Sequence, residues 1–321
     1  MPRPKLHNPH DRLIKITFRR RRTAASFFQA YLPEDLSAVV DWKTLQVKPG
    51  SFVDSQFQAQ ETDLLFQVSF REEPLYLYCL FEHQSTNDPW MGLRLLGYLH
   101  AIWKEAAHVA SADKRLPPIV PVVLYQSVEP WTAPLRWRDA LTLPTHSVTG
   151  LEDLTLDFRY HLVDLSQLSP EEIRGDIFSR LTLGLMKAVM TGNTIPWVKA
   201  AGPLLRELSE RKNTTEMLEV LLRYLLAGET QVSYQKVVSI LRDSSAPEIG
   251  DQAMSIAEQL IEKGEKQGFE KGQKNGEMKG QILLLEELLG VKRSRSAGLD
   301  KLSFEELQQK VAELRKKLGK I

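Results

Sequence analysis

The period of the apolar positions changes several times along the chain, and each change marks an element. From residue 11 to 32, LIKITF and TAASFFQAYL place apolar residues at helical spacing, and Pro33 supplies a stop signal. A mostly polar stretch follows, then three β-rich segments. SFVDSQFQA (51–59) alternates loosely around Phe52, Asp54 and Phe57, DLLFQVSF spans 63–70, and LYLYCLFEHQ spans 75–84. The link Arg71-Glu72-Glu73-Pro74 between the last two is hairpin-sized, so they are expected as antiparallel neighbours. After Pro89, WMGLRLLGYLHAIWKEAAHVA carries Leu93, Leu96, Leu99 and Trp103 at the helical period. LPPIVPVVLYQ (116–126) then reads as a buried strand, because VPVVLY is almost wholly apolar and β-branched. Strand, helix, strand forms a crossover, which predicts 119–125 parallel to one of the hairpin strands. The first 126 residues therefore read α, three strands, α, β, with helices on the sheet faces.

The rest of the chain is mostly helical. Residues 128–165 are irregular and rich in Trp, Pro and Leu, ending in a candidate strand at RYHLVDL. Ser169-Pro170-Glu171-Glu172 suits a helix start, with a serine cap, proline at the first position and early acids. PWVKAAGPLLRELSE and TEMLEVLLRYLLAG continue the helical pattern. We expect a core over 1–165, an α-helical annex over 166–250, and a tail over 251–321. In the tail, Gly264, Gly268, Gly272, Gly276 and Gly280 recur every four residues among Glu and Lys. A four-residue step turns the glycines about 40° per repeat on a helix. That pattern fits either a helix that approaches another closely along its glycines, as in a homo-oligomer through 254–318, or a flexible charged linker. Ser303-Phe304-Glu305-Glu306 has the form of a capping box ahead of the amphipathic LQQKVAELRKKL.

Composition narrows the picture without deciding it. With 42% hydrophobic and 26% charged residues, the 321-residue chain resembles ordinary globular proteins. No apolar run is long enough to span a bilayer, and MPRPKLHNPHDR has no apolar signal-peptide segment. The cytoplasm is the expected location. Cys79 is the one cysteine, which excludes a disulfide framework and a cysteine-rich zinc site. The net charge is +1, from 42 basic and 41 acidic residues, so attraction to phosphate must come from local patches. Arg19, Arg20, Arg21 and Arg22 form the obvious one, either contacting DNA phosphates or serving as a solvated face.

Asp63 opens one hairpin strand, and Glu82 and Gln84 close the other. Two residues apart on a strand, Glu82 and Gln84 point to the same side. Antiparallel pairing brings the start of 63–70 beside the end of 75–84, so all three gather at one end of the sheet. Two carboxylates there could hold a hard divalent cation such as Mg²⁺, which polarises a phosphodiester and acidifies bound water. Gln84 could orient that water. Solvated polar residues at strand ends are the competing account. Against it, Glu82 continues the apolar run LYLYCLF, and polar groups ending a buried strand need partners.

FEHQSTNDPWMGLRLLGYLHAIW resembles the hallmark of the Rpn family of recombination-promoting nucleases, in the PD-(D/E)XK superfamily. His10-Asp11, FFQAYLP (27–33), SFVDSQFQAQETDLLFQV (51–68) and LPPIVPVVLYQS (116–127) extend the resemblance, close over about 7–127 and looser beyond. It implies an α/β PD-(D/E)XK core of order αβββαβ and a metal-dependent DNA endonuclease tied to recombination and mobile elements. By that match Asp63 and Glu82 are metal ligands and Gln84 takes the place of the superfamily's lysine. A neutral amide positions water but supplies no positive charge to the transition state. Asp11 matches the superfamily's first-helix acid, although an acid is also favoured there by the helix dipole alone. Gln126-Ser127 stands where the family usually has His-Gly.

Further candidates are weaker. Arg94 and Tyr98 lie one turn apart on the helix after the motif, facing phosphate or capping the sheet. Trp131 and Trp137, beside Arg136 and Arg138, suit base stacking or loop packing. His83, His100 and His108 lack metal-ligand spacing. The chain has no Walker loop, GxGxxG fingerprint or GxSxG elbow. The alternative to a nuclease is a non-catalytic DNA- or protein-binding module that assembles through its tail.

Overall fold

The structure, a computed structural model, describes residues 9–48, 64–71, 73–82, 87–109, 115–142, 150–211, 214–227, 234–243, 247–291, 294 and 296–318. Its helices are α1 (Pro9–Phe18), α2 (Arg21–Tyr31), α3 (Glu34–Ala38), α4 (Met91–Val109), α5 (Leu151–Leu154), α6 (Ile177–Met190), α7 (Thr194–Ala200), α8 (Gly202–Ser209), α9 (Thr215–Ala227), α10 (Tyr234–Asp243), α11 (Pro247–Leu288), α12 (Ser296–Leu299) and α13 (Phe304–Leu318). The strands are β1 (Val40–Lys48), β2 (Leu64–Phe70), β3 (Glu73–Glu82), β4 (Ile119–Tyr125) and β5 (His161–Asp164), hydrogen-bonded in that order into one sheet.

Sequence order and spatial order coincide because short links join β2 to β3 and a helical crossover joins β3 to β4. β2 pairs antiparallel with both β1 and β3, and β3, β4 and β5 run parallel. The hairpin turns at Arg71, which takes a positive φ of 47°. β4 thus lies parallel to β3, the later of the two hairpin strands. The segment 51–59, expected as a strand, lies outside the described residues, and β1 forms from the preceding stretch instead.

Strand alternation gives the sheet two apolar faces. Leu65, Tyr78, Val123 and Tyr125 line one, against Met91, Leu95, Tyr98 and Ile102 of α4. On the other, Phe66 meets Phe28 of α2 edge-on, with ring centroids 5.1 Å apart. α1 packs against both α6 and α9, with the Thr17 and Thr182 hydroxyls hydrogen-bonded at 2.8 Å between buried surfaces. Asp176 caps α6 by accepting from Ser179 N at 2.9 Å, and it also takes the Thr23 hydroxyl of α2 at 2.8 Å. The helix start expected at Ser169 is a single 3-10 turn (Pro170–Glu172) closed by a capping box; the helix proper begins at Ile177.

The described residues divide into two compact units, 9–254 and 255–318. Within the first unit α1 packs on α6 and α9, and α2 packs on α6 and β1. In the second unit Ile282, Leu285, Leu299, Leu307, Val311 and Leu314 form a separate apolar cluster. Glu286 is buried beside it, accepting from Ser294 N at 2.7 Å, the Ser294 hydroxyl at 2.6 Å and Lys310 at 3.4 Å. Burial pushes its carboxyl up, but these donors outweigh burial and hold it below the usual carboxylate range. Ser303 and Glu306 form the expected capping box. The glycine repeat lies within α11 and is helical rather than a linker. A Cβ added at Gly268, Gly272, Gly276 or Gly280 would meet no atom within 4 Å, so these glycines serve no close approach among the described residues.

Candidate active site

The parallel strands β3, β4 and β5 end side by side, and their last residues, Glu82, Tyr125 and Asp164, form one register row. In open α/β sheets ligands bind outside the carboxyl ends of the strands. Asp164 is occupied by loop anchoring: Oδ2 accepts from Trp131 N and Oδ1 from Ser166 N, both at 2.9 Å. Tyr125 is fully buried, with Trp131 edge-on at 4.8 Å between centroids, and among the described residues its hydroxyl has no hydrogen-bond partner. Buried hydroxyls are ordinarily paired.

The polypeptide entering α4 is pinned against the loop after β4. Asn87 donates to Pro130 O at 3.0 Å and accepts from Thr132 N at 2.7 Å. Asp88 accepts from Trp90 N at 2.9 Å and pairs with Arg94 at 3.4 Å. Tyr160 lies close by, its phenol pushed up to about 12 by burial and further raised by the Asp88 charge. Trp90 itself is 62% exposed.

Of the residues expected to form the site, Glu82 ends β3 in register with Tyr125. Asp63 directly precedes Leu64, the first residue of β2, whose partner on β3 is Cys79, three positions before Glu82. Asp63, Gln84 and His83 lie outside the described residues, as do the side chains of Glu82 and Asp11. Asp11 sits on α1 next to the buried His10. Among the described residues, no three His, Cys, Asp or Glu side chains cluster as a metal site.

On the opposite face, the residue after Tyr125 ties the sheet to the helices. Gln126 is 3% exposed and its Nε2 donates to Met186 O of α6 and to the Tyr224 hydroxyl of α9, each at 2.9 Å. Burial raises the Tyr224 phenol to about 12 against the lowering effect of the Gln126 bond. The His10 ring lies 6.0 Å from the Tyr224 ring. Gln126 and Tyr224 therefore link α1, β4, α6 and α9. No local pattern announces this, because the partners are 60 and 98 residues apart in sequence.

The arginine run separates into two roles. Arg21 donates to Leu45 O at 2.6 Å and Lys43 O at 2.8 Å, anchoring β1. Arg20 lies over the Phe178 ring at 4.6 Å and pairs with Glu216 at 3.8 Å. Arg19 and Arg22 are exposed. Tyr98 is 5% exposed and packs on Tyr78, with ring centroids 5.4 Å apart, so it caps the sheet rather than facing phosphate. Arg94 is half-buried in its pair with Asp88. Trp131 and Trp137 pack: Trp131 against Tyr125 and Tyr160, Trp137 stacked on Phe158 and close to Gly92.

The family described as "Putative transposase, YhgA-like" matches residues 8–217, about two thirds of the chain. The chain belongs to this family. The YhgA-like span takes in the whole sheet and α1 to α8. Recombination-promoting nuclease RpnA of Escherichia coli K12 is 27% identical over 83% of this chain and 88% of its own length. RpnD of Escherichia coli O157:H7, also named a recombination-promoting nuclease, is 28% identical over 78% and 94%. The inactive recombination-promoting nuclease-like protein RpnE of strain K12 is 27% identical over 87% and 90%. No solved structure matches the chain. Among the described residues, no helix is long and apolar enough to cross a membrane.

Proposed function

We propose that this YhgA-like protein is a metal-dependent DNA endonuclease with a PD-(D/E)XK-type core, hydrolysing phosphodiester bonds in DNA breakage linked to recombination. The observation that carries this reading is the strand arrangement: an antiparallel β2–β3 pair with β4 parallel to β3, Asp63 immediately before β2 and Glu82 closing β3. Helix, three strands, helix, strand is also the order of that core. The nuclease names of RpnA and RpnD support the same activity.

Asp63 and Glu82 offer hard oxygen donors, and Glu82 ends its strand in register with Tyr125. This donor set suits Mg²⁺. When bound, the cation supplies Lewis acidity and lowers the pKa of its water. Asp63 and Glu82 hold it, with Asp11 as a further acid. Gln84 orients the attacking water through its amide but contributes no positive charge. Arg19 and Arg22 are the members of the arginine run free to meet DNA phosphates. The chain self-associates through residues 254–318, where Phe269, Leu284 and Leu288 are exposed on the glycine-bearing helix. A shortened chain ending at residue 250 should then sediment with fewer subunits per particle than the full chain.

RpnE, named inactive, gives weight to a second reading, a DNA-binding module without cleavage. Nicking of supercoiled plasmid in Mg²⁺ separates the two. The nuclease reading expects wild type to cut and Asp63→Ala not to. Equal cutting by both removes Asp63 from the site, and DNA binding with no cutting by either favours the binding module.

A further inference from the structure

We propose that the helical half of the chain completes a track for the DNA backbone, with Arg180 and Arg211 set beside Arg19, Arg20 and Arg22. This track rests on the DNA binding common to both readings above and not on the metal.

Segments far apart in sequence meet here. The Thr23 hydroxyl of α2 donates to Asp176 at 2.8 Å, and the Ser179 hydroxyl of α6 donates to Thr23 O at 3.4 Å. Arg22 precedes Thr23 and Arg180 follows Ser179, so these two arginines flank one contact. Beside it lies the Phe178 ring, with the Arg20 guanidinium 4.6 Å from its centroid and that of Arg211, just beyond α8, at 5.9 Å. The start of α2, the start of α6 and the end of α8 therefore bring their arginines to one face.

The acids nearby are too few to neutralise them. Glu207 pairs with Arg211 at 2.6 Å and Glu216 with Arg20 at 3.8 Å. Exposed pairs of this kind are weak and exchange readily for another anion. Arg19, Arg22 and Arg180 are exposed and, among the described residues, have no ion-pair partner. Cations gathered in this way repel one another, and an extended polyanion relieves the repulsion. The planar guanidinium fork also matches phosphate oxygens.

Position favours a duplex over a small anion. The first turn of α1 lies near the strand ends: the His10 ring is 6.0 Å from that of Tyr224, which bonds to Gln126, the residue after β4. From there the ten residues of α1 carry the chain about 15 Å away before Arg19. The sheet register gives a similar separation. Arg21 holds Leu45 O, next to Gln46, which is level with Gln67 and Tyr76. Glu82 is six residues, about 20 Å, farther along β3. A single phosphate on the arginine face would not reach the strand ends. Duplex DNA covers that distance in about 5–6 base pairs, so one duplex can engage both.

The test is fluorescence anisotropy of the full chain with a labelled duplex of about 24 base pairs, in chelator, across a range of salt. Arg180→Glu alone should reduce the slope of log affinity against log salt by about 0.9. The triple variant Arg19→Glu, Arg22→Glu, Arg180→Glu should reduce it by about 2.7. Lysine at the same three positions should keep the wild-type slope, and all variants should melt as wild type does, because the three side chains are exposed. An unchanged slope for Arg180→Glu, with wild type binding the duplex, overturns the proposal by confining phosphate contact to the first two helices. Tighter binding to vesicles of anionic lipid than to the duplex also overturns it, since the face would then belong to a membrane. If wild type binds neither, the DNA reading fails and the track with it.

Discussion

Replacing Gln126 with Ala would remove the two hydrogen bonds that fasten the end of β4 to α6 and α9. Each bond contributes about 0.5–1.5 kcal/mol net, and the buried Tyr224 hydroxyl left without Gln126 and the truncation cavity add to the loss. A destabilisation of about 2–4 kcal/mol is expected. Tyr224→Phe loses only the bond to Gln126, so about 1 kcal/mol. Because both variants delete that same bond, the double variant should be less destabilised than the sum by about 1 kcal/mol. Urea unfolding, with midpoints compared at a common m value, measures all three. The Tyr224 phenol, raised to about 12, stays neutral over ordinary conditions, so the coupling should not change between about pH 6 and pH 9. Additivity within about 0.3 kcal/mol would refute the network.

Other expectations follow from single contacts and shifts. Gly184→Ala places a Cβ 2.5 Å from Trp197 Nε1, where α6 and α7 meet; it should lower stability by about 1–3 kcal/mol, read from the urea midpoint, and a neutral change would contradict the close approach. Burial holds the His161 imidazole below its ordinary 6.5. The unfolded chain then takes up the proton first, so His161 contributes stability above 6.5 that is lost as pH falls toward its folded value. The melting temperature of wild type should fall more steeply than that of His161→Gln as pH drops through this window, and parallel curves would oppose it. Reversing Arg19 and Arg22 to Glu should leave melting unchanged and reduce the salt dependence of DNA binding by about two phosphate contacts. Reversing Arg21 should instead lower the melting temperature, because it breaks the bonds to Lys43 O and Leu45 O.

Where side-chain periodicity and burial agreed, the sequence was readable. LYLYCLF and VPVVLY are interior strands with apolar residues on both faces, and they appear as β3 and β4 in the parallel relation that a helical crossover imposes. β1 escaped notice because VDWKTLQVK lies at the sheet edge, and only Val40 and Leu45 are buried. A register break between Asp41 and Gln46 also disrupts its alternation. Ser169-Pro170-Glu171-Glu172 has a sound capping box, yet Ile173 leaves the helical conformation and the turn stops. Glu82 was legible as a strand-end acid. Tyr125 and Gln126 were not legible as special, since an unpaired hydroxyl and bonds to α6 and α9 arise only from tertiary packing. The arginine run shows the same limit: four identical side chains divide into anchors and exposed groups according to whether β1 and Phe178 come within reach.

The account stands or falls on whether Glu82 is needed for cutting DNA rather than for binding it. Supercoiled plasmid should be nicked or linearised by the full chain in Mg²⁺ and left intact in chelator. Glu82→Ala, at a concentration giving equal DNA occupancy, should leave it intact in both. Cleavage by Glu82→Ala at the wild-type rate would contradict the account.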